Sequence, residues 1–165
     1  MYISLFDIFK IGIGPSSSHT MGPMSAAFDF VNTKINFKKF NQDSTIDIIL
    51  HGSLAYTGLG HKTHNALIMG LNGWKPETID NKKMHEYLNY VNSNKKINVN
   101  NVVISFDSAI NITNNTDDLY NMHPNPIKFI CTYDDKSKDS QLYHSIGGGF
   151  LLKDNYTEKN EINYR

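Results

Sequence analysis

The sequence predicts an α/β fold: a mixed sheet of four or five strands with helices packed on it. Three observations carry that expectation. The stretch STIDIILHG places Ile46, Ile48 and Leu50 at alternate positions, the period of a strand with one buried face. MGPMSAAFDFVNT repeats Met24, Ala27, Phe28 and Val31 at helical spacing. Helix-like and strand-like segments then alternate along the chain, which favours helices laid over one face of a sheet.

In chain order, MYISLFDIF is a mixed apolar opening, and Gly12 to Pro15 must turn, because two glycines and a proline oppose both regular structures. Ser16, Ser17 or Ser18 can cap a helix that starts near His19 or Thr20, with Pro23 in its first turn, where a missing N–H costs nothing. Asn41 to Ser44 reads as a loop before the strand at 46–50. Gly52, Gly58 and Gly60 mark loops, and Thr63 to Leu71 reads as a helix that Gly73 ends. Asp80 or Asn81 can cap a surface helix over KKMHEYLNYVNS. NNVVISFDS is a strand, residues 111 to 126 are an irregular loop, and IKFICTYDD and SQLYHSIGGGFLLKD are two strands around DDKSKDS. The triplet Gly147-Gly148-Gly149 is poor strand sequence and suggests close approach of another group to bare backbone. Residues 1–155 are expected to form one domain, and 156–165 a frayed tail or the start of a linker.

Charge and cysteine usage narrow the chemistry. The formal net charge is zero, with 16 basic and 16 acidic residues in 165, so no basic field is present to hold nucleic acid. No apolar run is long enough to span a bilayer, and the opening residues lack the basic n-region of a secretory signal. Cys131 is the one cysteine, which leaves no disulfide framework and no cysteine-ligated cluster within this chain. A reducing, cytoplasmic setting is the expectation.

Four stretches carry more polar hardware than folding requires. GIGPSSSHTMGP offers three hydroxyls and an imidazole at a helix start, where backbone N–H groups favour an anion and His19 can move a proton; a simple helix cap with a solvated histidine fits the spacing equally. In GSLAYTGLGHKTHN, His61 and His64 are three apart and would share a helix face, but no acidic residue stands near to complete a zinc set, so no metal is expected. The alternatives are a second polar entry to the same pocket through His61 and Thr63, or one more capped helix. NMHPNP sets His123 and Asn125 between prolines, and YHSIGGGF can pass a ligand or a partner domain.

Together GIGPSSSHTMGP, GSLAYTGLGHKTHNALIMGL, HPN and SIGGGF, in this order and rough spacing, resemble the β domain of bacterial iron–sulfur L-serine dehydratases, over about residues 3 to 153. The resemblance implies a fold like the allosteric substrate-binding domain of some phosphoglycerate dehydrogenases. It implies conversion of L-serine to pyruvate and ammonia without pyridoxal phosphate, in partnership with an α domain or α subunit. The cysteines of that α part would hold a 4Fe-4S cluster whose open iron acts as Lewis acid on the serine hydroxyl. His19 and His61 match the family's histidines, either being the α-proton base or its orienting partner. Ser16, Ser17, Ser18 and the backbone near Thr20 would hold the carboxylate, Thr63 and Asn125 would hydrogen-bond the substrate, and the glycine triplet would let the α domain pack tightly. A homodimer is compatible with the family.

Departures from the family pattern are His64, where an acidic residue is usual, Pro126, where HPN is usually followed by glycine, and His144, where a second aromatic is common. The resemblance further implies that this chain alone is inactive. Natural subunit, fragment and truncated gene all fit the sequence. The rival reading is a non-catalytic module that binds serine or another small anion in the same pocket. A serine hydrolase using one of the Ser16–Ser18 hydroxyls and His19 is more distant, since the nucleophile-elbow pattern and a third member are lacking.

Overall fold

The computed structural model describes residues 14, 16–116 and 125–154. The MYISLFDIF opening, Pro15, His123 and the tail lie outside these residues. A π-helical turn, Ser17–Met21, runs directly into α1, Gly22–Thr33. Then follow β1 (Thr45–His51), α2 (Gly52–Thr57), α3 (Thr63–Leu71), a 3-10 turn (Pro76–Thr78), α4 (Asn81–Asn94), β2 (Lys96–Val99), β3 (Val102–Ser105), α5 (Ser108–Asn111), β4 (Ile112–Asn115), β5 (Pro126–Thr132), β6 (Lys138–Gly147) and β7 (Phe150–Asp154).

Five strands form one mixed sheet in the order β4-β1-β5-β6-β7. β4 lies parallel to β1, and the remaining neighbours are antiparallel. Ile48 pairs with Phe129, Leu50 with Ile127, and Ile127 with Tyr143, so these side chains share a face. That face meets α1. Phe30 stacks on Phe129 with ring centroids 5.1 Å apart, and Phe129 meets Tyr143 edge-on at 5.6 Å. Asp47, Ile49, Lys128 and Ile130 occupy the alternate positions and are less buried. The expected α/β class, the strand count and the placing of helices on a sheet face all hold.

α3 crosses α1 at bare backbone. A Cβ on Gly70 would lie 2.3 Å from the Met24 carbonyl oxygen and 2.7 Å from the Ala27 Cβ, so only glycine lets the helices meet there. α3 begins at Thr63 and α4 is capped by Asp80, whose side chain accepts from the N–H groups of Lys82 and Lys83, both as the sequence predicts.

Several expectations are corrected. Phe30, not Phe28, fills the core: Phe28 is half-buried under the Lys75 ammonium, 4.7 Å from its ring centroid. Gly52 to Thr57 is a helix, not a loop. Within 111–126, Ile112–Asn115 forms the edge strand β4. The glycine triplet does not interrupt one strand but turns β6 into β7. Its φ values of 95°, 61° and 80° are ones that side chains resist, which explains three glycines in a row. NNVVISFDS holds only the second arm of a separate β2–β3 ribbon, turned by Asn100 and Asn101 at φ 48° and 67°, the backbone that a tight two-residue hairpin needs.

The register brings the end of β1, the start of β5 and the end of β6 to one end of the sheet's strands. The π-helical turn and α2 sit at that end.

Candidate active site

The site starts from how the SSSHT stretch folds. Ser16 caps the turn: its Oγ accepts from the His19 N–H at 3.3 Å and its carbonyl from the Thr20 N–H at 3.0 Å. The Gly22 N–H then reaches back to the Ser17 carbonyl, five residues away. Ser18's carbonyl, the ordinary partner of Gly22, is thereby released. His19's carbonyl is released too, because Pro23 has no N–H to give it. Each finds a hydroxyl instead: Ser145 donates to the Ser18 oxygen at 2.7 Å, and Thr63 to the His19 oxygen at 2.5 Å. Gly22 makes room for the first bond, since a Cβ there would lie 1.9 Å from Ser145 Oγ.

A second hydroxyl returns the Thr63 bond. Thr20 donates to the His61 carbonyl at 3.0 Å. Thr20 and Thr63 are both fully buried. The two histidine segments are therefore clamped in both directions, and the imidazole rings lie 4.9 Å apart, tilted by 51°.

The rings differ in their partners. His19 Nδ1 lies 2.9 Å from Ser18 Oγ, and its Nε2 lies 2.9 Å from Ser53 Oγ on α2. His61 Nδ1 is buried and has no hydrogen-bond partner. Burial pushes the His19 imidazole below its ordinary value of 6.5, and the neighbouring His61 adds to that. Burial alone lowers His64.

Asn125 closes the far side. It is buried at φ 60°, a backbone that asparagine tolerates better than most residues. Its Nδ2 donates to the Ser145 carbonyl at 3.1 Å, and the Asn125 carbonyl accepts from the Ser145 N–H at 3.1 Å. Its Oδ1 is buried without a partner. The glycine turn arrives here as well: the Gly148 N–H donates to Ser17 Oγ at 3.2 Å.

The structure thus gathers Ser16, Ser17, Ser18, His19, Thr20, His61 and Thr63, and links Asn125 to them through Ser145. His64 sits on α3, with its buried Nε2 unpartnered. Among the described residues no set of three His, Cys, Asp or Glu side chains could hold a metal ion. Sequence reasoning missed Ser53 and Ser145. Ser53 stood in a presumed loop, although a serine directly after a strand and a glycine is a usual helix-start signal. Ser145 reaches Ser18 across a separation of 127 residues, which no local pattern encodes.

Fold and site define a mixed α/β domain that gathers two imidazoles and a row of serine hydroxyls at one end of the sheet's strands. The chain belongs to the serine dehydratase beta chain family, whose model matches residues 4–156. It is 37% identical over 164 residues to an L-serine dehydratase of Haemophilus influenzae, covering 98% of this chain and 36% of the relative. It is 39% identical over 158 residues to L-serine dehydratase 2 of Escherichia coli, covering 93% and 34%. An L-serine dehydratase of Mycobacterium tuberculosis is 36% identical over 153 residues, covering 92% and 33%. The chain therefore spans about a third of the length of the curated relatives it matches. No helix among the described residues is long and apolar enough to cross a membrane.

Proposed function

We propose that this chain forms one wall of the active site of a cytoplasmic L-serine ammonia-lyase, which deaminates L-serine to pyruvate and ammonia together with a cluster-bearing α domain or α subunit. The observation that carries the reading is the clamped pair of imidazoles. The buried Nδ1 of His61 has no partner, whereas both nitrogens of His19 are held by hydroxyls. His61 is then the base for the α-proton, and His19 its neutral neighbour. A cation on either ring would raise the cost of charging the other at 4.9 Å.

The substrate carboxylate falls to the serine row. Ser17 is exposed, and its oxygen already accepts from Gly148, so its proton is available to a carboxylate. Asn125 Oδ1, an acceptor in need of a donor, suits the substrate ammonium. Thr20 and Thr63 also have a structural part: their buried hydroxyls hold the two histidine segments in place.

The 4Fe-4S cluster belongs to the α part in this reading, and the residues here do not fit it. Cys131 is buried in β5. Burial, aided by the charges of Asp139 and Asp47 and opposed by a hydrogen bond from Tyr133, pushes its thiol up to about 12, far from the thiolate that iron requires. The partner's contact face lies beside the site. Tyr56 and Leu59 are each 70% exposed, and Ile146 and Phe150 flank the glycine turn with 45% and 70% exposure, a concentration of bare apolar side chains that suits a docking surface. The same reading takes the domain as akin to the allosteric substrate-binding domain of some phosphoglycerate dehydrogenases.

The test is anaerobic co-expression with a cysteine-bearing α partner and assay of pyruvate from L-serine. Activity in the pair, silence in the isolated chain, and loss on His61→Asn are expected. Full activity of the chain alone, or none in a pair whose α part works with its own β domain, overturns the reading. Micromolar serine binding by the isolated chain, measured by calorimetry, would favour the non-catalytic small-anion module instead.

A further inference from the structure

A neutral imidazole has one nitrogen that donates and one that accepts, and its other hydrogen bonds decide which is which. In His19 both nitrogens are engaged at 2.9 Å. Ser18 is the adjacent residue and moves with the ring. Ser53 does not: it belongs to α2, 34 residues away in sequence. That helix leaves β1 through Gly52 at φ 54°, and the Ser53 carbonyl accepts from the Thr57 hydroxyl at 2.8 Å. Among the described residues Ser53 is thus the one hydrogen-bond partner of the His19 ring from outside its own turn.

The contacts form a chain. Ser53 Oγ meets His19 Nε2, His19 Nδ1 meets Ser18 Oγ, and Ser18 Oγ lies 3.4 Å from Ser16 Oγ, which accepts the His19 N–H. Such a chain runs with all its protons in one sense or all in the other. A mixed arrangement would set two protons or two lone pairs against each other on one nitrogen. Either sense satisfies both nitrogens, so the two hydroxyls hold the plane of the ring whichever tautomer it takes.

We propose that Ser53 is a positioning residue that fixes the orientation of the His19 ring. The consequence for turnover rests on the active-site reading above, but the positioning itself does not. In that reading Ser53 keeps the His19 ring in place beside His61, which takes the proton.

The test uses the 165-residue chain without partner or substrate. NMR cross-peaks between the His19 and His61 ring protons read the orientation of the His19 ring near neutral pH. In the parent chain they are expected to be strong, from rings 4.9 Å apart. In Ser53→Ala they are expected to weaken as the ring turns, with the amide spectrum otherwise kept, since Ser53 is exposed. Ser53→Thr retains the hydroxyl and is expected to restore them, which loss of helix packing would not predict. Unchanged cross-peaks in Ser53→Ala overturn the proposal. In the assembled enzyme the same substitution is expected to lower kcat about five- to tenfold with KM little changed, the scale of one hydrogen bond. Weakened cross-peaks together with a parent pair that makes no pyruvate would sink the lyase reading and leave the positioning intact.

Discussion

Replacing Thr63 by valine tests the clamp on which the site geometry depends. Valine keeps the branched shape and removes only the hydroxyl. In the parent chain that hydroxyl donates to the His19 carbonyl at 2.5 Å from a fully buried side chain. The N–H that an α-helix would offer in its place is missing, because Pro23 follows four residues after His19. The variant loses a hydrogen bond and strands a carbonyl, which together cost about 1–3 kcal/mol. For a domain of this size each kcal/mol lowers the melting temperature by about 2–4 °C. Thermal unfolding followed by the fluorescence of Trp74, which packs against the core, reads this directly. Thr57→Val is the control: it too loses a bond to a backbone carbonyl, but an exposed one, and should cost only a few tenths of a kcal/mol, as surface changes do. Thr20→Val should behave like Thr63→Val, and the double variant should cost less than the sum, because both bonds tie the same two segments. If Thr63→Val melts with the parent chain while Thr57→Val does not, the clamp is not what holds the histidines together.

Gly22→Ala drives a methyl into the Ser145 hydroxyl and should destabilise by about 1–3 kcal/mol, the usual range for overpacking; adding Ser145→Gly should recover much of that in urea unfolding. Cys131, with its thiol pushed up to about 12 and no exposed surface, should resist a disulfide reagent in the folded chain and react at once in denaturant. His19 and His64 both charge less readily in the folded chain than their ordinary value of 6.5. The unfolded chain therefore binds more protons below that value, so stability is full above it and falls as pH drops through it. Denaturant midpoints taken from about pH 8 to about pH 5 should show that fall, and His19→Gln with His64→Gln should flatten it.

Local signals made some of this legible and long-range ones hid the rest. The helix at Thr63–Leu71 and the Asp80 cap are written in a few adjacent residues each, so sequence pattern found them. β4 is four residues long and becomes a strand only by lying parallel to β1, a pairing with no local trace. α2 hid behind glycines that read as loop punctuation, and Ser53 was lost with it. The serine row and both histidines were visible because polar residues crowded beside glycine and proline exceed what a cap requires. The threonines were visible too, but the clamp they form was not. A hydroxyl next to a histidine looks the same in sequence whether it faces a ligand or a buried carbonyl.

What turns these residues into one site is the wide turn at Ser17–Met21. An ordinary α-helical start would hand the Ser18 carbonyl to Gly22 and leave Ser145 with no acceptor at this helix. The five-residue step frees that oxygen, and proline at 23 frees the next. Two consecutive carbonyls then become sockets, one for β6 and one for the His61 segment. Restoring the regular pattern should therefore separate the parts of the site without unfolding the helix. Pro23→Ala supplies an N–H that can compete with Thr63 for the His19 oxygen. It is expected to leave helical circular dichroism unchanged or slightly stronger, while weakening contact between the His19 and His61 rings as read by their mutual NMR cross-peaks. Undiminished cross-peaks would show that the threonine bond, not the missing N–H, governs the turn.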